Sequence, residues 1–582
     1  MARGERWAAH WARFLDRRAA RRAVRRGRPA PLVGIPEPRL LGRVDQGRRM
    51  LEGRFLLGGA AIEAPGAAIW DVAAEEGPAR DAAQGFLWLD DLAALGGEAA
   101  RGRAQDWTFR WIDAAGRGRG PGWTVPLTAR RVIRWIDHAP FLLQGRGAED
   151  EARFFRLLVA QVHFLAQRWP AGPAGLPRIE ALAAIVYAGL ALQGQDGMAG
   201  PALAALAQES MRQVDAGGGL ASRNPEDLLQ VLTLLNRAVL AAAEADRAVP
   251  EPVTAAIHRI VPALRTLRHS DGALARFHGG GRGNEGRLDH ALAAAGRRGA
   301  RAEAAAMGFR RLSGGRTTLI VDAAPPPIGL ASAEGHASTL AFELTSARRP
   351  LIVNCGSGRT FGRDWRRAGR ATPSHSTLGI DGVSSARLAP EGTGNAAGWL
   401  AEGPGRVQAV SSDLGDGTRL ELSHDGWRGS HGLTHARTLD LGSDGRALVG
   451  EDILTTLSDA DAQRFDRVMQ KTGMQGIAFS IRFHLHPDVE AELDTGGAAV
   501  LLHLVSGEDW LFQGEPGARL TLERSVYLES GRPRPRATQQ VVLSGRTLAY
   551  ATRMRWSLAK THDTPDAVRD TAPMTTWDED DA

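Results

Sequence analysis

The sequence predicts two successive parts, an all-helical half and then an antiparallel β-sandwich, and three observations predict it. The chain has 582 residues, several times the ~150 of a typical domain, so more than one core is expected. Between about 85 and 300, apolar residues return at helical spacing; after about 310 the period becomes two, in short runs separated by Gly, Pro, Asp and Ser. Many short strands without intervening helices indicate an antiparallel sandwich and not a parallel sheet with crossover helices. Hydrophobic residues at 43% and charged residues at 24% are ordinary globular usage, which excludes a disordered, collagen-like or membrane-spanning main body.

Residues 1–84 read as a basic N-terminal segment and lead-in. Residues 1–30 hold ten Arg against Glu5 and Asp16, and an amphipathic helix there sets Trp7, Trp11, Phe14 and Leu15 on one side. Such a helix either touches an anionic membrane surface or packs on the body. It has no apolar core or small-residue cleavage site, so it is not read as a signal peptide, and a cytoplasmic or inner-membrane-associated protein is expected.

Residues 85–305 form the helical part. EDEARFFRLLVAQVHFLAQRW places Phe154, Leu157, Leu158, Val162 and Leu165 on one face. Further helices are expected at about 128–144, 178–193, 200–214, 224–246 and 250–267. SRNPEDLLQVL begins a helix cleanly, with Asn224 as cap, Pro225 in first position and acids in the first turn. Residues 306–560 carry the strands, among them TTLIVD, PLIVN, STLGID, RLELS, ALVGEDIL, IAFSIRFHL and AVLLHLV. Residues 561–582 are acidic and read as a solvated tail.

Charge and cysteine usage remove several functions. The N-terminal 30 residues carry a net +8 and residues 561–582 a net −6, which leaves about +4 of the total +6 for the body. No nucleic-acid partner is therefore expected. Cys355 stands alone, which excludes an internal disulfide and a CxxC centre. HGGGRGNEG (278–286) lacks the Lys-Ser/Thr ending of a phosphate loop and is expected to be a flexible loop at the rim of the helical part. Tyr187, Tyr527 and Tyr550 are expected to pack, His431 and His435 to lie on the surface, and His484 and His486 to share a polar strand face.

The β half gathers His and Arg in AEGHASTLAFEL, LIVNCGSG and WRRAGRATPSHSTLGIDG. In order stand Glu334-Gly335-His336-Ala337-Ser338, Asn354-Cys355-Gly356, Arg370, Thr372 and His375-Ser376-Thr377 before Asp381-Gly382, and then His424-Asp425-Gly426-Trp427. This succession resembles the heparinase II/III superfamily of polysaccharide lyases, and the resemblance runs from about 85 to 560. It implies an N-terminal α/α toroid, an incomplete barrel of helices, followed by an antiparallel β-sandwich. It also implies β-elimination at a uronic acid of an acidic polysaccharide, and a periplasmic location as the alternative to the one above. That chemistry needs a group to neutralise the carboxylate, a base near C5 and an acid near the leaving oxygen.

Carried over by position, His336, His375 and Arg370 match catalytic positions of the family. Glu334 stands in for its first histidine, as a base if desolvated. Asn224, Glu226, Arg367 and His424 are the expected substrate-binding residues. No cofactor is required by this reading; a zinc held by His336, Asn354 and His375 is the alternative, with Asn354 in place of the usual Asp weakening the set. Leu176 and Pro177 replace the family's Asn-His pair, and Glu226 and Asp227 its Tyr-His pair. Three functions therefore stay open: a lyase, a catalytically degenerate binding protein for an anionic glycan or cell-envelope polymer, and a hydrolase pairing Glu334 with Glu226 or Asp227.

Overall fold

The computed structural model describes residues 2–34, 42–73, 75–296, 304–390 and 398–562, with the side chains of 2–6, 8 and 9 left out. From residue 563 on, the expected acidic tail lies outside the described residues.

The N-terminal part is helical. Ala2–Arg26 lies against Ala148–Arg168, burying Ala19, Ala20 and Ala23, and Arg168 donates to Asp16 at 2.7 Å. The lead-in also contains a short hairpin, Arg54–Leu57 with Ala60–Glu63, which the sequence reading did not anticipate. Leu176–Ala191 is apolar on almost every face beyond Glu180 and so belongs in the middle of a bundle. It packs on Val125–Asp137, Ala199–Gln213 and Pro225–Glu244, and every residue from Ile179 to Gly189 is buried. Tyr187 on this helix donates to Asp137 at 2.8 Å, and Asp137 takes Arg237 through both oxygens at 2.6 and 2.8 Å. Tyr187 thus completes a buried ion pair, the packing role expected of it. Beside it Trp88, Trp107, Trp111, Trp135 and Phe86 meet mostly edge to face, and Phe154 stacks on Trp135 at 4.7 Å.

The C-terminal part is built of two large antiparallel sheets. In strand order one contains Val407–Asp413, Gly417–Trp427, Leu433–Gly442, Ala447–Thr455, Ala551–Lys560, Asp509–Gly514, Ala499–Leu504 and Val489–Leu493. The other contains Arg519–Tyr527, Arg536–Thr547, Ile477–Leu485, Arg349–Val353, Phe342–Ser346, Thr317–Asp322, Phe309–Gly314 and Ala305–Ala306, with Leu378–Ile380 beside Ile477–Leu485. Alternating residues of both sheets join one core, where Trp556 of the first sheet lies 4.7 Å from Phe483 and 6.0 Å from Phe342 of the second. Gly450 is required there, because a Cβ on it would sit 2.1 Å from the Trp556 ring. The longest of the helices that interrupt the described strands is Asp459–Lys471; its cap Ser458 accepts from Asp461 N–H at 3.3 Å.

Arg223 ties the two parts together. It adopts φ +52° and donates to the carbonyls of Met307, Gly308, Ala324 and Pro325 at 2.8–3.1 Å, and to Asp322. Phe309 and Ile320 on the first strands and Ala341 just before Phe342–Ser346, with Ala306, belong to the helical core and not to the core between the sheets.

Candidate functional site

Where the helical part meets the sheets, the start of Pro225–Glu244 supplies the first groups. Asn224 caps this helix: its Oδ1 accepts from the N–H of Glu226 at 2.9 Å and of Asp227 at 3.3 Å. Pro225, with no N–H to satisfy, follows in first position. Glu226 accepts from Gly281 N–H at 2.9 Å. Asp227 is pushed up to about 6, first by burial, with the charges of Glu226 and Glu334 adding to it and Arg359 and Ser222 opposing. Glu334 arrives from the β side, held by Arg366 at 2.7 and 3.3 Å. The fold therefore gathers Glu226, Asp227 and Glu334. The start of the glycine run is close-packed, since a Cβ on Gly279 would lie 2.5 Å from Glu334 Cβ and one on Gly280 2.5 Å from Asn224 Oδ1, whereas Arg282 and residues 284–286 are exposed.

His336 and His375 come together as a buried pair. His375 Nδ1 lies 2.9 Å from the Ala371 carbonyl and must donate to it. That leaves its Nε2 to accept from His336 Nδ1–H at 3.0 Å, while His336 Nε2 accepts from Gly279 N–H at 3.0 Å. All four ring nitrogens are used and both rings are neutral. Burial holds His336 well below the ordinary histidine range and His375 down to about 4. His278 stands beside them, its Nδ1 accepting from His336 N–H at 3.1 Å and its Nε2 3.4 Å from Asp322.

Asn354 does not turn toward these rings. Its Oδ1 accepts from Ser376 N–H at 3.0 Å and its Nδ2 donates to Glu343 at 3.3 Å. The three residues named for zinc thus have their donor atoms hydrogen-bonded within the protein. Among the described residues no group of three His, Cys, Asp or Glu is placed to hold a metal ion. Arg370 is 4% exposed and gives its guanidinium to three carbonyls, of Gly335, Gly398 and Ser332, at 2.6–2.8 Å. Burial lowers it to about 10. Arg367 is exposed on the short helix Arg363–Gly369.

His424 belongs to a second imidazole chain. Its Nδ1 accepts from Gly426 N–H at 3.0 Å, so its Nε2–H donates to His435 Nδ1 at 3.2 Å, and His435 Nε2–H donates to Asp452 at 2.7 Å. Arg437 at 2.8 and 3.1 Å and the Trp556 indole at 2.9 Å complete the shell of Asp452, which is held far below the usual carboxylate range chiefly by Arg437 against the opposing effect of burial. His435, expected on the surface, is fully buried. The signal was present in the sequence. In LTHARTLDLG, His435 and Arg437 share the period-two face of Leu439 and Leu441, which point inward. His484 and His486 are buried as well; His484 lies 2.9 Å from the Pro373 carbonyl and 2.7 Å from Ser525, and His486 lies edge-on to Tyr527. Cys355 is buried and its thiol is pushed up, first by burial.

Comparison with known proteins follows the same lines. Residues 296–557 match the family model described as heparinase II/III-like, C-terminal. FtsZ-localized protein C of Caulobacter vibrioides (strain NA1000 / CB15N) is 32% identical over 481 residues, 82% of this chain and 81% of its own. A crystal structure of heparinase III superposes with a TM-score of 0.63 at 13% identity, covering 91% of this chain and 85% of that one. A mutant of a heparan sulfate lyase from Pedobacter heparinus gives 0.56 at 13% identity over the same shares. At such identity the likeness to the two lyases is one of fold.

Proposed function

Because the chain belongs to the heparinase II/III-like family, we propose that it is a member without elimination chemistry, a protein that binds an anionic glycan or cell-envelope polymer in the groove between an α/α toroid and a β-sandwich. The observation that carries this reading is the saturation of the two imidazole pairs. A general base must accept a proton, and His336, His375, His424 and His435 have no unused lone pair and are all lowered by burial. The positions resembling the family's Asn-His and Tyr-His pairs hold Leu176, Pro177, Glu226 and Asp227. Zinc has no part in this proposal. Binding would fall to exposed arginines beside the acidic trio, Arg359 and Arg367, with Trp365 as an apolar platform.

Incubation with uronate polymers is expected to give no rise in absorbance near 232 nm, with or without added zinc. Sedimentation with the same polymers should show binding that weakens steeply between about 50 and 300 mM salt. An increase at 232 nm would restore the lyase reading, and absence of binding would remove the anionic polymer.

A second observation extends the proposal to a membrane surface. Trp7, Trp11 and Phe14 are 72%, 52% and 51% exposed and stack in a row along Ala2–Arg26, with centroids 5.9 and 5.3 Å apart. The alanine face of the same helix is the one turned to the body. No described helix is long and apolar enough to cross a membrane, so this ridge would lie in the headgroup region, with its arginines drawn to anionic lipid. The relative's name supports adding that the chain works where FtsZ is localized, and we assign it to the inner face of the membrane. Vesicles of phosphatidylglycerol should sediment the full chain and phosphatidylcholine vesicles should not; Trp7→Ser with Trp11→Ser should abolish it. Equal sedimentation by both variant and parent would exclude the ridge.

A further inference from the structure

The strand Ile477–Leu485 reaches the groove at its His484 end. At its other end, about 25 Å away at ~3.3 Å per residue, the sandwich presents a set of large apolar side chains to solvent. Leu457, Met474, Leu548 and Tyr550 are 64%, 65%, 64% and 50% exposed. Their neighbourhood is fixed by the main chain: Thr456 N–H donates to the Tyr550 carbonyl at 2.9 Å, Met474 N–H to the Met469 carbonyl at 2.9 Å, and a Cβ on Gly476 would lie 2.8 Å from Leu548 Cδ2. Tyr550 rests edge-on against Phe465 at 5.6 Å and donates to Asp466 at 3.2 Å, which joins the set to the helix Asp459–Lys471. Met474 holds φ +62°, a conformation that costs a side-chain-bearing residue about 1 kcal/mol or more. A neighbourhood of exposed large apolar side chains of this kind marks a place where something docks.

The charges around it indicate what docks. Arg467, Lys471 and Arg546 are exposed beside the apolar set, and Arg546 sits over the Gly476 carbonyl at 3.1 Å. Among the described residues none of the three has a carboxylate partner. Of the acids around them, Asp461 pairs with Arg428, Glu451 with Arg555 and Asp466 accepts from Tyr550, while Asp459 is exposed two residues from Leu457, so the three cations outnumber the one open carboxylate. We propose that this end of the sandwich is a docking surface for an acidic segment of a partner protein that inserts large apolar side chains among Leu457, Met474, Leu548 and Tyr550. The cations around them receive its carboxylates, and the surface is separate from the groove, so neither proposal depends on the other.

The test uses the full chain and the fluorescence anisotropy of a labelled peptide of about 15 residues, rich in Asp and Glu, with one Trp and two Leu. Expected is saturable binding that weakens at least about fivefold from ~50 to ~300 mM salt. Met474→Ser with Leu548→Ser should weaken it about tenfold, as loss of anchoring apolar contacts does. Arg467→Glu with Lys471→Glu should remove the salt dependence. All four positions are exposed, so melting temperatures should match the parent. Unchanged affinity in both double variants would overturn the proposal, as would equal binding of a peptide with Lys at every acidic position. So would tighter binding after removal of residues 563–582, which would make the chain's own acidic tail the occupant. A dimer of the parent that Leu548→Ser dissociates would assign the face to a second copy and overturn it equally.

Discussion

Acidification from about pH 7.5 to pH 5 is expected to unfold the protein. Burial lowers His375 to about 4 and His484 to about 3, and moves His278, His336, His424, His435 and His486 in the same direction. An unfolded chain takes up protons at these positions near pH 6.5, whereas the folded chain refuses them until far lower pH. Between those limits the unfolded state binds more protons, so stability is complete above about 6.5 and is lost as pH falls. By pH 5 His375, His484 and His486 each remove about 2 kcal/mol, which together reach the lower end of the 5–15 kcal/mol by which domains are ordinarily stable. The paired carboxylates Asp322, Asp452 and Glu343 are also lowered. They act only below about pH 4, where their unfolded counterparts protonate, so the transition belongs to the histidines. Tryptophan emission reads it directly, since Trp88, Trp107, Trp135, Trp427 and Trp510 are fully buried. Native emission and an unchanged melting temperature at pH 5 would show that the imidazole chains accept protons inside the fold.

Asp452→Ala is expected to cost about 3–5 kcal/mol, because it strands the buried guanidinium of Arg437 together with the His435 and Trp556 donors. Arg437 would keep only the carbonyls of Leu340 and Ser376, at 2.9 and 3.1 Å, with no counter-charge. Asp452→Leu combined with Arg437→Met should recover much of the loss, since an apolar pair of similar volume carries no desolvation penalty. Urea denaturation of the three proteins decides it. Equal stability of Asp452→Ala and parent would mean that the network contributes nothing to holding the sheets.

The division into helices and strands was legible because period and punctuation change sharply near 310, and most of the runs read as strands pair as such. Asn224 was legible as a cap from Asn-Pro-Glu-Asp alone, and its side chain is occupied in that role. What the sequence concealed was the connection of polar groups across elements. Asp452 lies inward with Leu448 and Leu454, and His435 with Leu439, yet only the pairing of their strands brings the two together. Arg370 was placed among the catalytic positions by the family resemblance alone; that its guanidinium meets three carbonyls from distant loops could not be read from the sequence. The helix Asp459–Lys471 was missed because its apolar positions are few and lie between strands whose alternation dominates the local pattern.

The assignment of Phe309, Ile320 and Ala341 to the helical core has a bearing on biosynthesis. These residues lie on the strands Phe309–Gly314 and Thr317–Asp322 and just before Phe342–Ser346, and they leave the ribosome only after the helices they pack on. The helical half can therefore serve as a template against which the first hairpin of the sandwich condenses. The remaining strands then add at the sheet edges so formed, which spares a nascent all-β domain the slow search for its long-range pairings.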